Sequence, residues 1–67
     1  MKNLETEFNG KRWEGSCELS EFDGVWYGKI LGINGLVTYE SNTLNELQGE
    51  FEKAVREYCE GYYAKYN

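Results

Sequence analysis

The chain of 67 residues contains no histidine and no proline, and only two cysteines and one methionine. Without histidine it lacks the base of a Ser-His or Cys-His pair and the commonest metal ligand in proteins. Two cysteines fall short of the four ligands that a structural zinc site requires. We therefore expect no catalytic constellation, no metal and no other cofactor, and we predict that the protein is not an enzyme.

The first thirteen residues contain no apolar run of the kind that a secretory signal peptide needs. We therefore expect a cytoplasmic protein, no association with a membrane, and a reducing environment that keeps thiols free. A single bridge between Cys17 and Cys59 is the alternative. In the cytoplasm both cysteines are predicted to act as small hydrophobic core residues.

Basic residues are scarce, because seven Lys and Arg stand against twelve Asp and Glu and give a formal net charge of −5. Proteins bind nucleic acid largely by neutralising phosphates with Lys and Arg, so this balance disfavours direct contact with DNA or RNA. It suits a protein partner with a basic surface. The alternative explanation is that the charge only keeps a small domain soluble.

Aromatic residues, in contrast, are abundant: two Trp, six Tyr and three Phe. A single domain spanning residues 1–67 has a small core, which is not expected to enclose all of them. Tyr and Trp suit surfaces that are partly apolar and partly hydrogen-bonded, and they concentrate in protein interfaces. The sequence therefore predicts an aromatic contact surface.

Three pairs typical of tight turns divide the first half of the chain: Asn9-Gly10, Asp23-Gly24 and Asn34-Gly35. The runs between and after them predict antiparallel strands within 12–20, 25–31 and 36–40. Leu4 to Phe8 is a candidate for a short fourth strand at the edge.

Alternation along the second predicted strand leaves apolar side chains on both of its faces. Val25, Tyr27 and Leu31 share one face, and Trp26 and Ile30 share the other. One helix can cover only one of these sets, so the other is predicted to form an interaction surface. The alternative is that the N-terminal strand or the tyrosine-rich C-terminal segment covers it.

A helix is predicted from Leu44 to Cys59. Thr43 followed by Glu46 is typical of a capping box at a helix start. Apolar residues then recur at steps of three and four, at Leu44, Leu47, Phe51, Ala54, Val55, Tyr58 and Tyr62. Gly61 is a candidate C-cap. Gly49, inside the helix, indicates either a close approach to the sheet or a tolerated weakness.

These elements predict an α+β fold, in which one helix packs across one face of a three- or four-stranded antiparallel sheet. The most specific pattern lies between Phe22 and Cys59 and reads D-G-V-aromatic-x-G-K-I, then V-T-aromatic-E, T-L-x-E-L and F-x-x-A-V-x-x-Y. This pattern resembles the N-terminal domain of HicB-family antitoxins. The matching positions are Asp23, Gly24, Gly28, Lys29, Gly32, Val37, Thr38, Thr43, Leu47, Phe51, Ala54, Val55 and Tyr58.

The resemblance implies a truncated HicB-like fold and a non-catalytic antitoxin-like binder. Such a protein occludes a small basic partner, of which the HicA-type RNase toxin is the family's example. Family members also carry a C-terminal DNA-binding module. Only eight residues follow Cys59, so operator binding is not expected.

A bacteriophage-type antidefence inhibitor, such as an anti-CRISPR protein, is the alternative function. One version blocks a nucleic-acid-binding surface on an immune-complex subunit. Another sequesters a nucleotide signal at a subunit interface, for which the candidate residues are Lys11, Arg12, Trp13 and Lys29.

The predicted protein-binding residues combine acidic and aromatic side chains: Glu14, Glu18, Trp26, Tyr39 and Glu40. The uncovered sheet face and the edge strands also predict a homo-oligomer, most simply a twofold dimer. Trp13 and Trp26 are the residues predicted to lie at its interface.

Overall fold

The computed structural model describes residues 3–61 and shows two antiparallel sheets with one helix, which confirms the predicted α+β class. The elements are β1 (Leu4–Phe8), β2 (Lys11–Gly15), β3 (Glu18–Ser20), β4 (Val25–Lys29), β5 (Thr38–Ser41) and α1 (Leu44–Cys59). β1 pairs with β2 in a two-stranded sheet, and the three-stranded sheet has the order β3-β4-β5. The candidate fourth strand is therefore present.

The strand predicted within 12–20 is divided into β2 and β3, so the prediction of a single sheet is corrected to two. A bridge between Gly15 and Ile30 joins the sheets. That bridge has the same register as the pairing of Glu18 with Tyr27 further along. No residue is inserted, and the chain between the sheets keeps its alternation of faces.

The buried Tyr39 hydroxyl accounts for the interruption. It donates a hydrogen bond to the Ser16 carbonyl at 2.7 Å. The Ser16 side-chain oxygen accepts from the Lys29 amide at 2.9 Å, where the backbone carbonyl of Ser16 would accept in a regular ladder. A side-chain oxygen thus replaces one backbone acceptor of the ladder. The Ser16 carbonyl instead accepts its hydrogen bond from the buried Tyr39 hydroxyl.

Two glycines make room for this arrangement. A Cβ atom on Gly28 would lie 1.9 Å from the Ser16 carbonyl oxygen, and one on Gly15 would lie 2.1 Å from the Tyr39 hydroxyl. Any larger residue at either position would displace the backbone or the buried ring. Close approach therefore explains both glycines.

The three predicted turns all lie between strands, but only the first is a two-residue hairpin. Asn9 and Gly10 both adopt positive φ, at 57° and 73°, as a type I′ turn requires. Asp23-Gly24 closes a four-residue connection, and Asn34-Gly35 lies in a longer loop before β5. Because that loop is longer, β5 begins at Thr38, two residues later than predicted.

Helix α1 begins and ends at the predicted residues. The Thr43 side chain accepts a hydrogen bond from the Glu46 amide at 3.2 Å, which caps the helix start. Gly61 follows the last turn with a φ of 95°, as expected for a glycine after a helix end. Gly49 is exposed, and a Cβ atom added at this position would have no neighbouring atom within 4 Å. The explanation that this glycine allows a close approach of the helix to the sheet is therefore wrong.

The core lies between α1 and one face of the sheets. Its buried residues are Trp13, Cys17, Ile30, Val37, Tyr39, Leu47, Phe51, Ala54 and Val55. The Tyr39 and Phe51 rings lie 5.5 Å apart, and the Trp13 and Tyr58 rings meet edge to face at 5.9 Å. The core therefore encloses some of the aromatic residues and, as expected, leaves others such as Phe22 and Tyr27 exposed. Tyr62 lies outside the described residues.

Candidate protein-binding face

The face of the sheets opposite α1, here called the open face, has no helix over it in residues 3–61. Strand alternation and the observed pairing assign its side chains. They are Glu5, Glu7, Arg12, Glu14, Ser16, Glu18, Ser20, Val25, Tyr27, Lys29, Leu31, Thr38 and Glu40. Five of them are carboxylates and two are basic, so this face carries an acidic excess.

An aromatic ring lies between two carboxylates at the centre of the open face. Tyr27 pairs with Glu18 on one neighbouring strand and with Glu40 on the other. Tyr27 is 42% exposed, and its hydroxyl donates to the Glu18 carboxylate at 3.3 Å. The charge of Glu18, then burial, and then this hydrogen bond raise the pKa of Tyr27 above 10.0. We call this group the acidic row.

A pair of like charges lies on the open face of the two-stranded sheet. Glu5 and Glu14 are direct cross-strand partners, an arrangement that costs stability. Arg12 forms an ion pair with Glu5, at a position where both side chains are well exposed. This ion pair leaves Glu14 without a basic partner among residues 3–61.

Lys29 lies on the open face between these two groups, with Ser16 and Thr38 on either side. It forms no ion pair within the described part of the chain. The open face therefore combines uncompensated carboxylates, one accessible aromatic ring and little neutralising charge.

The predicted protein-binding residues divide between the two sides of the sheet. Glu14, Glu18 and Glu40 lie together on the open face. Tyr39 lies on the opposite face and is only 7% exposed, because its ring packs on Phe51. The prediction that all five residues share one surface is therefore wrong, because Tyr39 is buried, and the binding role of the three carboxylates stays a prediction.

Trp26 also belongs to the helix side, where it is partly buried against the core. The assignment of Trp26 and Ile30 to the helix-covered face leaves Val25, Tyr27 and Leu31 on the open face. Tyr27 is consequently the aromatic residue that the sequence-based site missed. Tyr27 and Trp26 are neighbours in the sequence, so strand alternation places them on opposite faces. Alternation does not show which of the two faces the helix covers.

Trp13, predicted at an oligomer interface with Trp26, is 7% exposed within this protomer. Its ring nitrogen donates to the Phe8 carbonyl at 3.3 Å, and the Lys11 ammonium lies 4.5 Å from the ring centre. The ring is thus engaged by its own chain. The homo-oligomer stays a prediction, and so does the place of Trp26, which is only partly buried, at its interface.

Three of the four residues considered for a nucleotide signal, Lys11, Arg12 and Trp13, line one small cavity. Arg12 and Lys29 lie on the open face, whereas the Trp13 ring is buried on the opposite side. Arg12 is also paired with Glu5. The cavity that Lys11, Arg12 and Trp13 share has a volume of about 230 Å³, and its lining includes the acidic residue Glu14 but not Lys29.

The solvent side of α1 is acidic as well. It carries Glu46, Glu50, Glu52 and Glu57 beside Lys53 and Arg56. It has no exposed aromatic ring comparable to Tyr27. The open face is thus distinguished by its acidic row, and net charge alone does not set it apart.

Few features of residues 3–61 suggest other chemistry. No group of three or more potential ligands is placed to hold a metal ion among them. Burial raises the pKa of the Cys59 thiol, the direction opposite to that of an activated nucleophile. Cys17 is buried in the core, and neither cysteine is in a disulfide.

The single helix of the described chain is too short and too polar to cross a lipid bilayer. No protein-family model, no curated protein and no solved structure matches the chain. The likeness to HicB-type domains accordingly rests on the sequence pattern alone.

Proposed function

We propose that the protein acts by stoichiometric binding, using its open face to cover a basic surface of a protein partner. The observation that carries this proposal is the acidic row, in which Glu18 and Glu40 flank the exposed Tyr27 ring. Arg and Lys side chains pair with carboxylates and stack on aromatic rings, so this combination is suited to both interactions.

The cross-strand pair of carboxylates on β1 and β2 supports the same proposal. Glu5 and Glu14 lie opposite each other, although like charges at such positions are unfavourable. A partner that brings basic side chains to this face would relieve the repulsion. The open face is also part of a paired sheet, which holds the carboxylates in place before binding and lowers the entropy cost.

A small basic RNase toxin of the HicA type is the partner class that the sequence resemblance favours. A basic nucleic-acid-binding surface on an immune complex presents the same chemistry, so an antidefence role would use the same face. Both functions place the protein in the cytoplasm. Identification of the partner distinguishes them.

The test begins with capture of partners from a bacterial lysate on the immobilised protein, followed by binding kinetics on the recovered protein. The decisive comparison uses two double variants that change charge equally. Glu14→Lys with Glu18→Lys alters the open face, and Glu50→Lys with Glu57→Lys alters the solvent side of α1.

We expect the open-face pair to slow association and to reduce its salt dependence more than the helix pair does. Tyr27→Ala should chiefly speed dissociation, because aromatic anchors act on the lifetime of a complex. Equal effects of the two charge-reversed pairs would show that only net charge matters, and the proposal would then fail.

A further inference from the structure

The outer edge of β3 is unpaired among residues 3–61. The Ser16 amide donates to the Lys29 carbonyl, and the Leu31 amide donates to the Glu14 carbonyl. The N–H and C=O groups of successive residues in a strand point to opposite sides. Since those of Ser16 point towards β4, the amides and carbonyls of Cys17 and Leu19 point away from it. β1 does not reach them, since its register ends with Leu4 opposite Gly15.

The outer edge of β1 differs from that of β3. There the Gln48 side chain, on α1, donates to the Glu5 carbonyl at 3.0 Å. The helix thereby occupies an edge acceptor of β1 and blocks the approach of another strand. An edge that is neither blocked nor paired is a template for strand addition.

An apolar groove of about 550 Å³ opens beside this edge of β3, between the sheet and the start of α1. Its apolar lining consists of Leu4, Cys17, Trp26 and Leu44, and the amide side chains of Asn3, Asn45 and Gln48 lie around it. Leu44 is 45% exposed although it belongs to the apolar stripe of the helix. The groove is thus an incompletely filled extension of the core.

We propose that an extended basic segment of the partner protein pairs with β3 as an added strand. Its residues opposite Cys17 or Leu19 would place apolar side chains in the groove. Its residue opposite Glu18 would be a Lys or Arg on the open face, the face that Glu18 shares with Glu14. The basic character of this segment rests on the proposed function, whereas the strand pairing does not.

Charge decides against a second copy of this chain as the occupant. Residues 16–21, Ser-Cys-Glu-Leu-Ser-Glu, contain two carboxylates and no basic side chain. Pairing β3 with β3 of another copy would bring acidic residues together without any neutralising charge. A basic segment with alternating apolar residues complements both sides of the added strand.

The experiment uses a synthetic seven-residue peptide in which lysine alternates with valine or leucine, added to the intact protein. Amide hydrogen exchange and chemical shifts are followed by NMR. We expect slower exchange of the Cys17 and Leu19 amides and shifts of the Trp26 ring. Leu19→Pro removes an outward amide at an edge, where proline is tolerated, and should weaken binding roughly tenfold relative to Leu19→Ala.

Each outcome separates this inference from the proposed function. If the peptide shifts only open-face residues and leaves the Cys17 and Leu19 amides unprotected, strand addition is wrong and the open-face function stands. If a matched peptide with glutamate in place of lysine binds equally well with protection of both amides, the strand site stands and the basic partner is wrong. Absence of binding by either peptide overturns the inference. The exchange measurement on the unaltered protein holds even if Leu19→Pro fails to fold.

Discussion

The two faces of the sheet differ in what their side chains do for the fold. On the helix-covered face, Tyr39 and Phe51 are packed so closely that glycine is required at two neighbouring positions. On the open face, Tyr27 lies among carboxylates and touches no core. The contrast indicates that the packing of the described residues lies on one face, and it agrees with the proposal that the other face binds a partner.

Hydrogen bonding follows the same division. Each face has a tyrosine hydroxyl that donates to an oxygen, but Tyr39 reaches a backbone carbonyl in the interior and Tyr27 reaches an exposed carboxylate. No buried side-chain polar atom lacks a partner in the described residues. The interior is therefore fully satisfied, while the open face keeps unneutralised charge.

The largest expected effect comes from removing a core ring. Phe51 is fully buried, so Phe51→Ala should lower the free energy of unfolding by about 3–5 kcal/mol. Tyr27→Ala should change it by no more than about 0.5 kcal/mol, as an exposed substitution does. Urea denaturation of both variants measures the difference. If Tyr27→Ala lowered the free energy of unfolding nearly as much as Phe51→Ala, the proposed difference between the two faces would be wrong.

An intermediate effect is expected at the interruption between β2 and β3. Tyr39→Phe leaves the Ser16 carbonyl without its donor from the core, which should cost about 1–3 kcal/mol. Tyr27→Phe, which removes an exposed hydroxyl, is the matched control and should be close to neutral. Equal losses in the two variants would show that the interior hydrogen bond has no special role.

Alkaline pH sharpens the same test. Burial, and secondarily the charge of Cys17, raises the pKa of Tyr39 above 10.0. In the unfolded chain this hydroxyl ionises near pH 10, while in the folded protein it stays protonated. The stabilisation is therefore present below about pH 10 and is lost as pH rises towards the folded pKa. The difference in the free energy of unfolding between the wild type and Tyr39→Phe should therefore become smaller above about pH 10. A difference that grows with pH would contradict the assignment of Tyr39 as a buried hydrogen-bond donor.

A smaller effect, of opposite sign, is expected on the solvent side of α1. Gly49 lies inside the helix with open space around a built Cβ atom. Gly49→Ala should therefore stabilise the protein by roughly 0.8–1 kcal/mol, because alanine restricts the unfolded chain and favours helix. Thermal or urea denaturation measures the gain. A loss of stability would mean that Gly49 has a packing role that the structure does not show.

Local signals in the sequence predict much of the fold. The helix from Leu44 to Cys59 follows from its cap and its apolar stripe, and the turn at Asn9-Gly10 follows from the demand for positive φ. Such features depend on neighbours a few residues apart. They can be inferred without knowledge of the tertiary contacts.

The division of the strand within 12–20 could not be predicted in this way. It depends on Tyr39, a residue 23 positions away from Ser16 along the chain, whose hydroxyl meets the strand only after the sheet has formed. The choice between Trp26 and Tyr27 is of the same kind. Alternation separates their faces, but the packing of α1 decides which face is covered.

Only part of the candidate site could be predicted from the sequence, because the rest depends on how the strands pair. Glu14, Glu18 and Glu40 follow from alternation along polar strand positions, and the structure brings them to one face. The aromatic partner of these carboxylates required knowledge of strand register. Tyr27 is placed between Glu18 and Glu40 by pairings that span two connections of the chain.

We expect that the helix-covered face stabilises the fold and that the open-face carboxylates do not. Neutralising these carboxylates tests this expectation most directly. In the triple variant Glu14→Gln, Glu18→Gln and Glu40→Gln, the side chains keep their size and lose their charge. Equilibrium urea denaturation is measured at low and at high salt. The helix variant Glu50→Gln with Glu57→Gln serves as the control for a general change in net charge.

If the open-face carboxylates serve binding, the triple variant should be as stable as the wild type or more stable by a few tenths of a kcal/mol to about 1 kcal/mol. The gain should shrink at high salt, because it reflects relief of repulsion between exposed charges. A loss of more than about 1 kcal/mol at low salt would show that these carboxylates hold the fold together. That result would contradict the assignment of the open face to binding.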